Sequence, residues 1–177
     1  MSISTVVLIT GVSSGIGRAT AEKFASQGCR VFGGVRDLKK ALTIPSVELI
    51  EMDVTQDESV RQAVTMVIER AKRIDVLVNN AGATIIGAVE ETSVAEATSL
   101  FDTNLFSILR TTQAVLPFMR AQREGRIINI SSVLGFLPAP YMGVYSATKH
   151  AVEGLSETLD HEVRQFGSLV LDRSVIN

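Results

Sequence analysis

Thr5-Val-Val-Leu-Ile-Thr10-Gly11-Val-Ser-Ser-Gly15-Ile-Gly17 is the stretch from which the rest of the chain can be read. It begins as an apolar run of strand length, passes through a loop with three glycines, and enters an amphipathic helix extending to about Gly28. In a strand–loop–helix unit of this kind the loop N–H groups can approach a pyrophosphate, and the helix N-terminus adds a favourable dipole. Gly11 would allow the tight turn, Gly15 the close approach, and Gly17 the packing of helix on sheet. Glycines also occur in plain strand-to-helix connections. Three at this spacing, between a strand and a helix, favour a dinucleotide site.

Outward from that unit, Arg30 to Gly34 reads as a second strand ending at Val35-Arg36-Asp37, about twenty residues past the glycines, where such folds contact the adenosine ribose. Val35 occupies the place where an acid would bind the ribose hydroxyls, and Arg36 offers a guanidinium suited to a phosphate. This favours NADP over NAD. Asp37 is the rival, since a shift of two residues would put its carboxylate on the ribose, and a solvated loop position is the plain alternative for Arg36.

The remaining chain repeats the alternation. Val47 to Val54 forms a third strand, and Thr55-Gln-Asp-Glu58 reads as a capping box for a helix whose sheet side is Val60, Ala63, Val64, Val67 and Ala71. Ile74-Asp-Val-Leu-Val is a fourth strand, leading into Asn79-Asn80-Ala81-Gly82, a small polar turn at the edge where open α/β sheets bind ligands. Ser93-Val-Ala-Glu96 caps one long helix to about Met119, with Asn104 on or beside an apolar face of Phe101, Leu105, Ile108 and Leu109. A buried amide there needs hydrogen bonds, either as a structural pin or within a polar site. Pro117 and Gly125 separate this helix from a fifth strand, Arg126 to Ser131. The apolar, Gly/Pro-punctuated loop from Val133 to Val144 suits the wall of an apolar pocket or packs on the core. A helix from Tyr145 to Phe166, with Ala151, Val152, Leu155, Leu159 and Val163 on one side, stops at Gly167, and Ser168 to Asp172 is a sixth strand. There is no repeat, low-complexity tract or linker, so residues 1–177 are expected to form a single domain. Alternating strands and helices imply right-handed crossovers and a Rossmann-like, doubly wound parallel sheet in three α/β/α layers.

Bulk properties narrow the function. With 46% apolar residues and a formal charge of -2, the chain has no basic excess for nucleic acid. No apolar run reaches membrane-spanning length and no cleavable leader is seen, so the expected location is the cytoplasm. One cysteine, Cys29, and two scattered histidines offer neither an internal disulfide nor metal-ligand spacing, and Cys29 is expected to be a buried small residue.

The second informative stretch runs from Ser131-Ser132 to Tyr145-Ser-Ala-Thr-Lys149. Tyr145 and Lys149 lie four residues apart, so on a helix they share one face. A free phenol near pKa 10 is a poor acid or base at neutral pH, but an adjacent ammonium favours the phenolate and fits the pair for proton exchange with a carbonyl or alcohol oxygen. On spacing alone, an exposed phenol beside a solvated lysine is the commoner arrangement.

Together these residues resemble the short-chain dehydrogenase/reductase family of nicotinamide-dependent oxidoreductases, over nearly the whole chain. The family motifs appear as Thr10-Gly11-Val-Ser-Ser-Gly15-Ile-Gly17, Asp53-Val54, Asn79-Asn80-Ala81-Gly82, and Asn104, Ser132, Tyr145 and Lys149. The thirteen-residue separation from Tyr145 selects Ser132 over Ser131, while Tyr141 is followed four positions later by Tyr145 rather than lysine. The resemblance implies that Tyr145 protonates the carbonyl oxygen, Ser132 hydrogen-bonds it, Lys149 holds the nicotinamide ribose and lowers the phenol's pKa, and Asn104 completes a water-linked proton relay. It implies cofactor contacts from Gly11, Ser13, Ser14, Gly15, Ile16, Gly17, Asp53, Val54, Asn80, Ala81, Gly82, Tyr145 and Lys149, with Arg36 facing the 2′-phosphate of NADP helped by Ser13 or Ser14. The expected substrate is a small carbonyl or alcohol compound, hydrophobic by the character of the 133–144 loop, and the expected assembly a homodimer or homotetramer. Family members usually continue for about seventy further residues, so a truncated or frame-altered product lacking the last strand or strands is expected. Two rival functions are an inactive cofactor-binding or dimerisation module, built on the helices at 94–119 and 145–166, and a sugar-nucleotide epimerase, whose glycine spacing normally differs.

Overall fold

The computed structural model describes residues 4–166 and 168–173, so the proposed helix stop at Gly167 and the ending from 174 onward lie outside the described residues. Among the described residues, six strands form one sheet in the order β3-β2-β1-β4-β5-β6. They are β1 (Val6–Thr10), β2 (Arg30–Val35), β3 (Val47–Glu51), β4 (Val76–Asn79), β5 (Gly125–Ile130) and β6 (Ser168–Arg173). Every pairing is parallel. The doubly wound reading holds, and the strand order reverses between β1 and β4, where such sheets open a crevice at their C-terminal edge.

β1 is buried at every position, as expected for a parallel strand covered on both faces. Its alternate residues enter two cores. Val6 and Leu8 join Phe32, Leu77 and Ile127 beneath three helices, α2 (Asp57–Ala71), α4 (Ser107–Gln122) and α5 (Gly143–Val163), which contribute Val64, Val115, Met119 and Val163. Val7 and Ile9 join Val31 and Val78 on the opposite face, where α1 (Gly15–Ser26) contributes Ala21 and Phe24. Cys29, expected buried, is half-buried against this second core.

Two local expectations are corrected. Thr55-Gln-Asp-Glu58 is not a capping box: Gln56 stands at the N-cap without a side-chain bond. Thr55 is drawn away because its N–H and hydroxyl both donate to Asp53 Oδ1, at 3.0 and 2.8 Å. The helix expected over 94–119 is interrupted. α3 (Val94–Phe101) passes into a π turn at Asp102–Phe106 before α4 begins. A π turn inserts one residue, which rotates the following face by roughly 100°. Leu109, expected on the apolar face, is consequently 41% exposed, as is Phe106 at 42%. α4 also runs through Pro117 to Gln122, with Pro117 and Gln113 both on an exposed side where a carbonyl without its helical partner can meet water. The Ser93–Glu96 capping box does form, Glu96 N–H donating to Ser93 Oγ and Ser93 N–H to Glu96 Oε2.

A buried polar chain ties α4, the sheet and α5 together. Thr111 Oγ1 donates to Asn79 Oδ1 at 2.7 Å, Asn79 Nδ2 to Asn129 Oδ1 at 2.9 Å, and Asn129 Nδ2 to Ser156 Oγ at 2.8 Å. Asn79 and Asn129 face each other in register on β4 and β5. Asn129→Leu leaves the Asn79 amide without its acceptor, so it is expected to lower stability by about 1–3 kcal/mol, read as a lower denaturant midpoint at unchanged slope.

Candidate active site

The crevice at the switch point is built by β1 and β4 reaching across to each other. Thr10 ends β1, and its hydroxyl accepts from the N–H groups of Asn80 and Ala81 at 3.0 and 2.9 Å. Asn80 Nδ2 returns two bonds, to the carbonyls of Thr10 and Gly11 at 3.0 and 2.9 Å. Gly11 has φ +70°, and a Cβ there would stand 2.9 Å from Ala81 Cα. A Cβ at Gly17 would overlap Asn80 Nδ2 and the Gly11 carbonyl. These two glycines thus make room for the Asn79–Gly82 turn. The loop face at Gly15 is different, because a Cβ there would meet nothing within 4 Å. That open backbone face fits a pyrophosphate at the start of α1.

The resulting crevice, of about 610 Å³, has the volume of a small-molecule site. Gly11, Ser13, Ser14, Ile16, Gly17, Arg36, Asp53, Val54, Asn80, Ala81 and Gly82 line it. Arg36 is exposed just past β2, beside Ser13 and Ser14 in the same lining. Asp37 is occupied in its own turn, where Oδ1 accepts from Lys39 N–H at 2.9 Å and Oδ2 lies 3.2 Å from Lys40 Nζ. It is not among the lining residues. Asp53 is held by Thr55, whose hydroxyl donates to its carboxylate, and its own N–H donates to Ser59 Oγ at 2.9 Å.

A smaller pocket continues from Asn80, Gly82 and Ala83 to Ser131, Ser132, Tyr145 and Lys149. Tyr145 sits in the first turn of α5 and Lys149 one turn later. Lys149 is 8% exposed, donates from Nζ to the Ile130 carbonyl at 2.8 Å, and has Nζ 5.7 Å from the Tyr145 ring centre. The cation is therefore pinned to the end of β5 on the same helix face as the phenol. Ser132 follows β5, where its Oγ accepts from Leu134 N–H at 3.2 Å and so anchors the turn at Val133–Gly135.

Asn104 is buried in the π turn and lines neither cavity. Its Oδ1 accepts from Ala83 N–H at 2.8 Å, and its Nδ2 donates to the Ala83 carbonyl at 2.9 Å and Thr148 Oγ1 at 3.1 Å. The carboxamide thus clamps Ala83, which lines both cavities, to the helix bearing Tyr145 and Lys149. Sequence reasoning did not single out Thr10, Ala83 or Thr148. Thr10 and Thr148 carried a positional signal, each lying beside a glycine or lysine already under scrutiny. Ser99 and Thr103 also line the larger crevice, and neither had a sequence signal.

Known proteins resemble this chain in sequence and fold. A family model described as short chain dehydrogenase matches residues 5–171. The chain is 47% identical over 161 residues to a 3-ketodihydrosphingosine reductase of Bacteroides thetaiotaomicron, covering 91% of this chain and 59% of the relative. It is 38% identical over 176 residues to retinol dehydrogenase 8 of Bos taurus, covering 93% of this chain and 56% of the relative. A metagenomic short-chain oxidoreductase solved in complex with NADP superposes with a TM-score of 0.92 at 32% identity, over 99% of this chain and 83% of that one. The chain belongs to the short-chain dehydrogenase family, and it spans somewhat over half the length of these two curated relatives.

The Thr10 hydroxyl offers a direct check on the bridge. Thr10→Val leaves the Asn80 and Ala81 amides without an acceptor and is expected to cost about 2 kcal/mol or more in denaturation, whereas Thr10→Ser, which retains the oxygen, should cost much less.

Proposed function

We propose that this chain carries the site of an NADP(H)-dependent carbonyl reductase or alcohol dehydrogenase. The observation that supports the reading is the pocket of Ser132, Tyr145 and Lys149, which shares Asn80, Gly82 and Ala83 with the larger crevice lined by Arg36. NADPH bound there supplies a hydride to a carbonyl carbon. The Tyr145 phenol gives its proton to the oxygen, where negative charge develops, and Ser132 donates a hydrogen bond to the same atom. Lys149 holds the nicotinamide ribose and places positive charge beside the phenol as it loses its proton. Asn104 supports the site by position, its carboxamide holding Ala83 and Thr148 rather than entering either cavity.

Arg36 supports NADP over NAD. Its exposed guanidinium stands in the crevice lining with Ser13 and Ser14, whereas the rival carboxylate of Asp37 is engaged by Lys39 and Lys40. A hydrophobic substrate is supported by the loops around the smaller pocket. Phe136, Leu137 and Tyr141 are 56%, 64% and 66% exposed, and the Gly87 N–H bond to the Tyr141 carbonyl at 2.9 Å joins them to the loop of Ile86 and Val89. The loop over 133–144 thus leaves its largest apolar side chains outside the core. The two curated relatives are named for a sphingoid ketone and for retinol. Assembly as a homodimer or homotetramer is supported by exposed Phe106 and Leu109 on the π turn and α4, a surface equally open to the second reading, a cofactor-binding dimerisation module without turnover.

Titration with both cofactors tests this. NADPH should bind more tightly than NADH, and Arg36→Leu should weaken NADPH by roughly tenfold or more, the worth of a charge-assisted hydrogen bond, with little change for NADH. A native preference for NADH would overturn the NADP reading.

Tyr145→Phe should lower the rate of NADPH oxidation with a ketone panel by about 10²–10⁴ while sparing cofactor affinity. Retained turnover would remove Tyr145 as the acid, and binding without turnover in the unmutated chain would favour the module.

A further inference from the structure

Arg110 lines neither of these cavities, yet it ties together residues beside two stretches of the larger one's lining, Val54–Thr55 and Ser99–Thr103. It stands on the second turn of α4 with its side chain 22% exposed. Its Nε donates to Asp57 Oδ1 at 2.6 Å, at the first residue of α2. Its Nη2 donates to Asp102 Oδ1 at 2.6 Å, at the first residue of the π turn. Its Nη1 approaches the Val54 carbonyl at 3.5 Å, a weak third contact. Val54 and Thr55 form one wall of the cofactor crevice, and Ser99 and Thr103 form the wall beside them. Asn104 follows Thr103 in the same π turn.

A π turn is a rare interruption of an α-helix, found frequently at functional sites, and here its first residue is held by Arg110. The planar fork of an arginine can hold two carboxylates at fixed separation, which the single ammonium of lysine cannot. Burial opposes the Arg110 charge, but its bonds to Asp102 and Asp57 outweigh that cost and raise the guanidinium's affinity for its proton. The charge is therefore permanent, and the two carboxylates are kept together by it.

We propose that Arg110 is a positioning residue that couples the adenosine wall of the crevice to the π turn carrying Asn104. By gripping Asp57 beside the Val54–Thr55 wall and Asp102 beside Thr103, it sets the width of the adenosine end. Through the same turn it sets where the Asn104 carboxamide holds Ala83. The cofactor part of this inference rests on the proposed NADP(H) function, and the Asn104 part does not.

The experiment is a comparison of the unmutated chain with Arg110→Met and Arg110→Lys. It combines NADPH titration with nitrogen-15 NMR of the Asn104 side-chain amide in the cofactor-free protein. Arg110→Met should raise the NADPH dissociation constant roughly tenfold and shift the Asn104 amide resonance. Arg110→Lys should restore the folding midpoint but recover only part of the affinity. An unmoved Asn104 resonance in Arg110→Met, or full rescue of affinity by lysine, overturns the inference. Failure of the unmutated chain to bind NADPH overturns the functional reading instead, and the Asn104 resonance then judges the clamp alone. Should Arg110→Met not fold, Asp57→Ala removes one arm, with Glu58→Ala in the same helical turn as the control for lost negative charge. Weaker NADPH binding in Asp57→Ala than in Glu58→Ala supports the clamp, and equal binding overturns it.

Discussion

The structure depends on a short bridge between two strands that are far apart in sequence. Thr10 at the end of β1 and Asn80 after β4 exchange bonds through side chain and backbone in both directions. A parallel sheet whose order reverses must part its chains at that point, and backbone groups left there need partners. One threonine hydroxyl and one asparagine amide supply them. Gly11 and Gly17 are required because the bridge brings Ala81 and Asn80 too close for any side chain at those positions. The crevice is thus a consequence of the way the strand ends are tied.

A second set of polar contacts works behind that bridge. The chain of Thr111, Asn79, Asn129 and Ser156 runs from α4 through two strands to α5 within otherwise apolar packing. Buried amides are costly when one partner is missing, so such a chain admits few alternative registers of helix on sheet. Register matters here because α5 presents both Tyr145 and Lys149, and β5 supplies the Ile130 carbonyl that holds the lysine. The Asn104 clamp on Ala83 and Thr148 extends the same logic to the cavity wall.

Much of this was legible in advance because it is local. The glycine loop, the Ser93–Glu96 cap and the pairing of Tyr145 with Lys149 each depend on residues within a turn or two of one another. The misreadings have the same physical origin as each other. Thr55 has the composition of a cap, but the nearby Asp53 carboxylate competes for its hydroxyl and N–H. The π turn at Asp102–Phe106 leaves no compositional mark, and the contacts made there, of Asn104 with Ala83 and Thr148 and of Asp102 with Arg110 on α4, become visible only in the folded chain. Arg36 reads from the sequence as a phosphate contact with Asp37 as its rival for the ribose, and the contacts of the Asp37 carboxylate with Lys39 and Lys40 are set by the turn that follows β2.

The sequence by itself determined the alternation of strands and helices, the doubly wound class, and which residue types meet at the C-terminal edge of the sheet, because periodicity and turn chemistry are written within each segment. The tertiary structure decided what each of those residues is free to do. It committed the Asn104 carboxamide to Ala83, used Gly11 and Gly17 to admit the Asn80 turn, left Gly15 facing open space, and pinned Lys149 to β5. Those outcomes arise from hydrogen bonds and steric contacts between segments tens of residues apart, where competition for each donor and acceptor is settled only when the chain is packed.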